Sequence, residues 1–118
     1  MTPVRNTADD SLPLKPATYH VLLALSQGEL HGLGIADEVD WLTRGQIKLG
    51  PGTLYRSLKQ MSEDGWIIEA ETDEDDDPRR KYYEITALGR RLLRAESERF
   101  DHLVQVARER RVLSEGRS

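Results

Sequence analysis

Glycine and proline cut this chain into pieces too short for anything but small helices and a hairpin. Gly28, Gly45, the Gly50-Pro51-Gly52 cluster and Gly65 punctuate its first two thirds. Between them, apolar residues recur at helical spacing. Pro16 suits the first turn of a helix, where a missing N–H costs nothing, and Val21, Leu22 and Leu25 carry that helix to about Gln27, with Gly28 as its stop. A second helix begins at Gly32, places Ile35, Val39 and Leu42 on one face, and ends at Gly45 in a left-handed cap. Gln46-Ile47-Lys48-Leu49 reads as a brief strand. A third helix runs from Pro51 to Asp64 with Leu54, Leu58 and Met61 inward.

After Gly65 the period changes. Residues 66–71 and 81–86 are rich in aromatic and β-branched side chains and predict a β-hairpin. The residues joining them, 72–80, are polar, charged and too many for a tight turn, which predicts a projecting loop. Thr86 then caps a long helix from Ala87 to about Arg111. Leu88, Leu92, Ala95, Leu103 and Val106 form one apolar row on it, and Leu93, Phe100, Val104 and Ala107 form another. Two rows imply two packing partners, one of them a second subunit.

The expected fold is mainly α with a small β-hairpin: a winged helix-turn-helix over residues 12–86, followed by a C-terminal dimerisation helix over 87–113. Residues 1–11 and 114–118 read as flexible tails. With 118 residues, 37% hydrophobic and 32% charged, the chain has the size of one domain and little apolar material to spare.

In that fold the third helix enters the major groove and the wing flanks it. Its inward row leaves Thr53, Tyr55, Arg56, Lys59 and Gln60 on the outer side, groups that read bases or grip phosphate. Arg79, Arg80 and Lys81 are consecutive cations before the second strand, placed to neutralise phosphates. The formal net charge of −4 conceals this segregation, because six of the 21 acids lie in the loop sequence ETDEDDD and the rest of the chain carries 17 bases against 15 acids. That acidic run lacks the glycine and the spaced ligands of a calcium loop and reads as solvated surface.

Other chemistry finds little support. There is no cysteine, which excludes thiolate zinc sites and suits a reducing cytoplasm. His20, His31 and His102 are scattered. No phosphate-binding glycine loop, nucleophile motif or metal-ligand spacing occurs, so no catalytic residue, metal or cofactor is expected. No stretch approaches the ~18 apolar residues of a membrane span. Trp41 and Trp66 are candidates for lining a small-molecule effector pocket, although core packing is the commoner use of such rings.

Three segments, LPLKPATYHVLLALSQGELHGLGIADEV, LGPGTLYRSLKQMSEDGWI and RRKYYEITALGRRLL, resemble the N-terminal domain of PadR-like transcription regulators, over about residues 12–111. Gly52-Thr53-Leu54-Tyr55 and Arg80-Lys81-Tyr82-Tyr83 are the strongest matches. The resemblance implies a homodimer held by the last helix against the first and last helices of its partner, through Tyr19, Leu23, Leu92, Leu93, Phe100, Leu103, Val104 and Ala107. It also implies binding of double-stranded DNA at an inverted repeat, usually as a repressor, with a small-molecule or protein effector as a further partner. The competing expectation is a winged-helix protein-interaction module that binds no DNA, for which the net negative charge speaks.

Overall fold

The structure, a computed structural model, describes residues 11–71 and 80–114. The greater part of both tails, the acidic stretch 72–77 and Arg79 lie outside the described residues. The element order is α1 (Pro16–Ala24, extended by a 3-10 turn at Leu25–Gln27), β1 (Leu30–His31), α2 (Gly32–Leu42), α3 (Pro51–Glu63), β2 (Ile67–Ala70), β3 (Tyr82–Ile85) and α4 (Ala87–Glu109). Val21, Leu22 and Leu25 from α1 and its 3-10 turn, Ile35 and Val39 from α2, and Leu54, Leu58 and Met61 from α3 meet in one core, closed by Ile67, Tyr83, Ile85 and Leu92. This is the mainly α winged-helix architecture that the apolar spacing predicts, with the long C-terminal helix in place.

One element differs from expectation. Residues 46–49 form no strand, and the third strand of the antiparallel sheet is Leu30–His31, giving the order β1-β3-β2. The reason lies at the end of α2. Gly45, at φ 78°, turns the chain so that its N–H bonds the Asp40 carbonyl at 2.7 Å, and Gln46 N–H bonds the Thr43 carbonyl at 3.1 Å. The Ile47 N–H goes to the Thr43 hydroxyl at 3.0 Å. These donors are spent on the helix terminus, while Ile47 and Leu49 pack against the core. The free edge of β3 is taken instead by Leu30 opposite Tyr83 and His31 opposite Tyr82.

The hairpin registers Ile67 with Ile85 and Ala70 with Tyr82. Alternation buries Ile67, Tyr83 and Ile85 and exposes Ile68 and Glu84. Thr86 joins hairpin to helix: its hydroxyl donates to the carbonyl of Gly65 at 2.7 Å and accepts from the N–H of Gly89 at 3.0 Å, as an N-cap should. Among the described residues no helix is long and apolar enough to cross a membrane.

Candidate nucleic-acid interface

Burial of Leu54, Leu58 and Met61 fixes the rotation of α3 about its axis and leaves Thr53, Tyr55, Arg56, Lys59 and Gln60 exposed, as the spacing predicts. The helix starts at Pro51 with Gly50 as its N-cap and no side-chain cap. Its exposed N-terminal turn therefore presents N–H groups rather than a capping carboxylate.

The outer residues divide between two flanks. On one, Tyr55 shares a cleft of about 450 Å³ with Arg80 and Lys81 at the root of the wing, together with His31 and Gly32 from the start of α2. The ring of Tyr55 lies so close to Gly32 that a Cβ there would come within 2.6 Å of the phenolic oxygen. Glycine at this position is what lets the α3 tyrosine reach the wing root. The first turn of α2 opens on the same cleft, and its N-cap, His31, makes no side-chain capping bond. The backbone N–H groups of that first turn, the helix dipole and two cations together suit a phosphate. Tyr83, behind them, has its pKa raised by burial and secondarily by Glu69, so its phenol stays protonated. Lys81 leans toward Glu69 at 3.5 Å with both side chains largely exposed, a pair that a phosphate can replace at little cost.

On the other flank, Thr53, Arg56 and Gln60 face a separate cleft that Trp66 also lines. Gln60 Nε2 donates to both carboxylate oxygens of Asp64 at 3.2 Å. Lys59 stands exposed. Trp41 is 75% exposed on α2 and lines neither of these two clefts.

The proposed dimer residues also divide. Leu92 and Leu93 are buried within the single chain and belong to its own core. Tyr19 packs edge-on against Phe100 with centroids 4.9 Å apart, and its hydroxyl meets that of Ser97 at 2.8 Å. Leu23, Phe100, Val104 and Ala107 remain half-buried, and Leu103 is 49% exposed. Beyond the helix, Val112 and Leu113 add exposed apolar surface that the helical period did not reach.

Sequence reasoning missed Glu96. It is fully buried, accepts from the Leu14 N–H at 2.9 Å, and is gripped by Arg99 at 2.6 and 3.1 Å. Those bonds, Arg99 first, overcome desolvation and hold its pKa below the ordinary glutamate value of 4.5. A carboxylate interrupting the Leu92-Leu93 row, with an arginine three residues on, was the available signal.

A three-helix core, an outward polar helix and a wing with a basic root define a winged helix-turn-helix of the DNA-binding class. The particular family follows from comparison. Residues 21–95 match the Transcriptional regulator PadR-like family, and the chain belongs to it. Transcriptional regulator Rv3488 of Mycobacterium tuberculosis is 29% identical over 86 residues, 73% of this chain and 77% of that protein. Among solved structures, a PadR family transcription regulator from Clostridium difficile R20291 superposes with a TM-score of 0.67 at 23% identity, covering 80% of this chain and 97% of the other. PadR of Bacillus subtilis in complex with operator DNA gives 0.60 at 23% identity, over 69% of this chain and 47% of that one.

Proposed function

We propose that this chain is a sequence-specific DNA-binding transcriptional repressor that binds an inverted-repeat operator as a homodimer. The observation that carries the reading is the convergence of Tyr55 from α3 with Arg80 and Lys81 at the wing root, beside the α3 row of Arg56, Lys59 and Gln60. In this arrangement α3 lies in the major groove, with Thr53, Arg56 and Gln60 toward base edges. The flanking phosphate sits between Lys81, Arg80 and the start of α2. The operator-bound state of the B. subtilis relative supports the reading.

The homodimer rests on the apolar surface of the distal half of α4. Two copies joined there carry two α3 helices at a fixed separation, and an operator with two half-sites one helical turn apart mirrors that symmetry. Residues 12–86 act as the reading head and 87–113 as the dimerising arm.

The test is fluorescence anisotropy of labelled DNA from upstream of the protein's own gene, titrated at several salt concentrations against a scrambled duplex. The expected result is binding at least ~10³-fold tighter to the native sequence, with affinity falling steeply as salt rises. Arg56→Ala and Arg80→Ala each weaken it while the dimer stays folded. Equal affinity for both duplexes refutes sequence specificity. No binding even at low salt refutes the DNA reading and supports the protein-interaction module.

A further inference from the structure

The later turns of α2 and the first turns of α4 carry charges of the sign that their own helix disfavours. A helix is negative at its C-terminal end and positive at its N-terminal end. Yet α2 holds three acids and no base, with Asp37, Glu38 and Asp40 set toward its C-terminus. Helix α4 has no acid in its first turn and carries Arg90, Arg91 and Arg94 soon after its start. Asp40 has Lys48 at 3.7 Å, and Arg90 donates to the Ser26 carbonyl at 3.3 Å. The side chains of Asp37, Arg44, Arg91, Arg94 and Glu98 make no hydrogen bond or ion pair among the described residues. Beside Asp37, the Trp41 ring is 75% exposed and has no ring or cation–π partner among them.

These groups form two strips that match in order and spacing. One runs Asp37, Trp41, Arg44 and the other Arg91, Arg94, Glu98, each seven positions end to end, or about 10 Å of helix. Residues three and four apart are neighbours on a helix surface, so each strip is continuous. Arg94 precedes Glu98 by four positions, the poorer orientation for a pair within one helix, in keeping with their standing apart.

We propose that the strips join copies of this chain, the α2 strip of one copy docking on the α4 strip of another in parallel register. Asp37 pairs with Arg91, Trp41 turns its face to Arg94, and Arg44 pairs with Glu98. The acidic end of α2 then lies beside the basic start of α4, which offsets the mismatch of both with their dipoles. Arg94 and Leu103 are nine positions apart, two and a half turns, and so stand on opposite sides of α4. The proposed homodimer therefore leaves this strip open. Because the two strips differ, the contact is heterologous and can repeat from dimer to dimer. Glu98 favours a second copy over a duplex as the occupant, since it repels a phosphate and attracts Arg44. Exposed pairs are individually weak, so the contact is transient in solution. Dimers held side by side on one duplex strengthen it through their effective concentration, a consequence that rests on the proposed DNA reading.

The experiment is sedimentation equilibrium of the full chain without DNA, from micromolar to millimolar concentration. Association beyond the homodimer is expected at about 50 mM salt and is lost by about 500 mM. Leu103→Glu, which opens the proposed homodimer, leaves this salt-sensitive association in place. Asp37→Arg and Arg91→Glu each weaken it ~10-fold or more by setting like charges opposite one another. Trp41→Leu weakens it ~3-fold. All three positions are exposed, so the variants melt with the parent. An equimolar mixture of Asp37→Arg and Arg91→Glu recovers association to within ~3-fold of the parent, because the reversed charges now face each other. No association beyond the homodimer, variants that associate like the parent, or a mixture no better than its components overturns the proposal. So does an Arg91→Glu chain with unchanged association and weakened binding to a duplex carrying a single operator, which gives the arginines to DNA. The full pattern in a chain that binds no DNA refutes the DNA reading and leaves the contact standing.

Discussion

Helices α3 and α4 each leave a face uncovered, and the two faces are opposite in chemistry. The outer side of α3 carries Thr53, Tyr55, Arg56, Lys59 and Gln60, groups at home in water. The distal half of α4 exposes Leu103, and the chain beyond it exposes Val112 and Leu113. A polar face gains little from being dried and much from meeting a hydrated polyanion, so its contacts are reversible and salt-dependent. An apolar face gains about 1.5–3 kcal/mol for each large side chain covered, with no such dependence on salt. The contrast supports the proposed roles, DNA that comes and goes for the first and a second copy of the chain for the second.

The largest effect is therefore expected where the apolar face is broken. Leu103→Glu places a carboxylate in the proposed interface twice, once per subunit, where it would have to be desolvated without a partner. The dimer dissociation constant should rise by ~100-fold or more, measured by sedimentation, with helix content unchanged because Leu103 takes no part in the core. A dimer of unchanged strength would remove α4 from the interface and undo the contrast.

Next in size is the seam that holds α4 to the rest of the chain. Glu96→Ala leaves the Leu14 N–H without its acceptor and Arg99 without its carboxylate, at a cost of about 2–3 kcal/mol in chemical denaturation, Arg99 being partly exposed. Glu96→Gln keeps an acceptor for Leu14 and should cost less. The same pair sets a pH dependence. The folded-state pKa lies below the unfolded value of 4.5, so the stabilisation is complete above 4.5 and is lost as pH falls through the lower, folded value. Denaturation midpoints measured downward from pH 5 should show parent stability falling toward that of Glu96→Gln. Parallel curves would mean that the Glu96 carboxylate is not the group responsible.

The contrast between the faces was legible before the structure, and its details were not, for physical reasons that differ from residue to residue. Helical spacing identified both the inward row of α3 and the rows of α4, because a 3.6-residue period is a long-range pattern. Leu30–His31 was invisible as a strand, since two residues carry no alternation and their pairing depends on a β3 edge some fifty positions away. Residues 46–49 have β-forming composition, but the terminus of α2 claims their N–H groups first. The apolar rows of α4 do not separate its own core from its open surface, since Leu92, buried in one chain, and Leu103, half exposed, stand on the same row. Convergence of Tyr55 with Arg80 and Lys81 depends on the backbone at Gly32, which leaves no local pattern.

Gly32 offers a finer cut at the polar face. In Gly32→Ala the new methyl meets the far end of the Tyr55 side chain, which can swing into solvent, so stability should change by less than about 1 kcal/mol. Affinity for operator DNA should fall ~3-fold, because the start of α2 and Tyr55 no longer share one surface. Unchanged affinity in anisotropy titrations would show that the tyrosine acts independently of α2.

The smallest effect concerns the ion pair at the wing root. Lys81 and Glu69 stand 3.5 Å apart and largely exposed, so the bond between them contributes little to the fold, and Glu69→Gln should leave the melting temperature within a degree or two. Its effect on DNA should have the opposite sign to every other substitution considered for this face. Removing the carboxylate releases Lys81 and subtracts a negative charge beside the phosphate site, so affinity should rise by ~2-fold at low salt. Because Debye screening weakens that repulsion, the gain should shrink as salt increases. Lys81→Gln should do the reverse, lowering affinity and reducing the salt slope by about one counterion. If Glu69→Gln instead weakens binding, the carboxylate is positioning Lys81 for its phosphate, and the polar face of α3 extends onto the hairpin as an ordered network rather than a set of free charges.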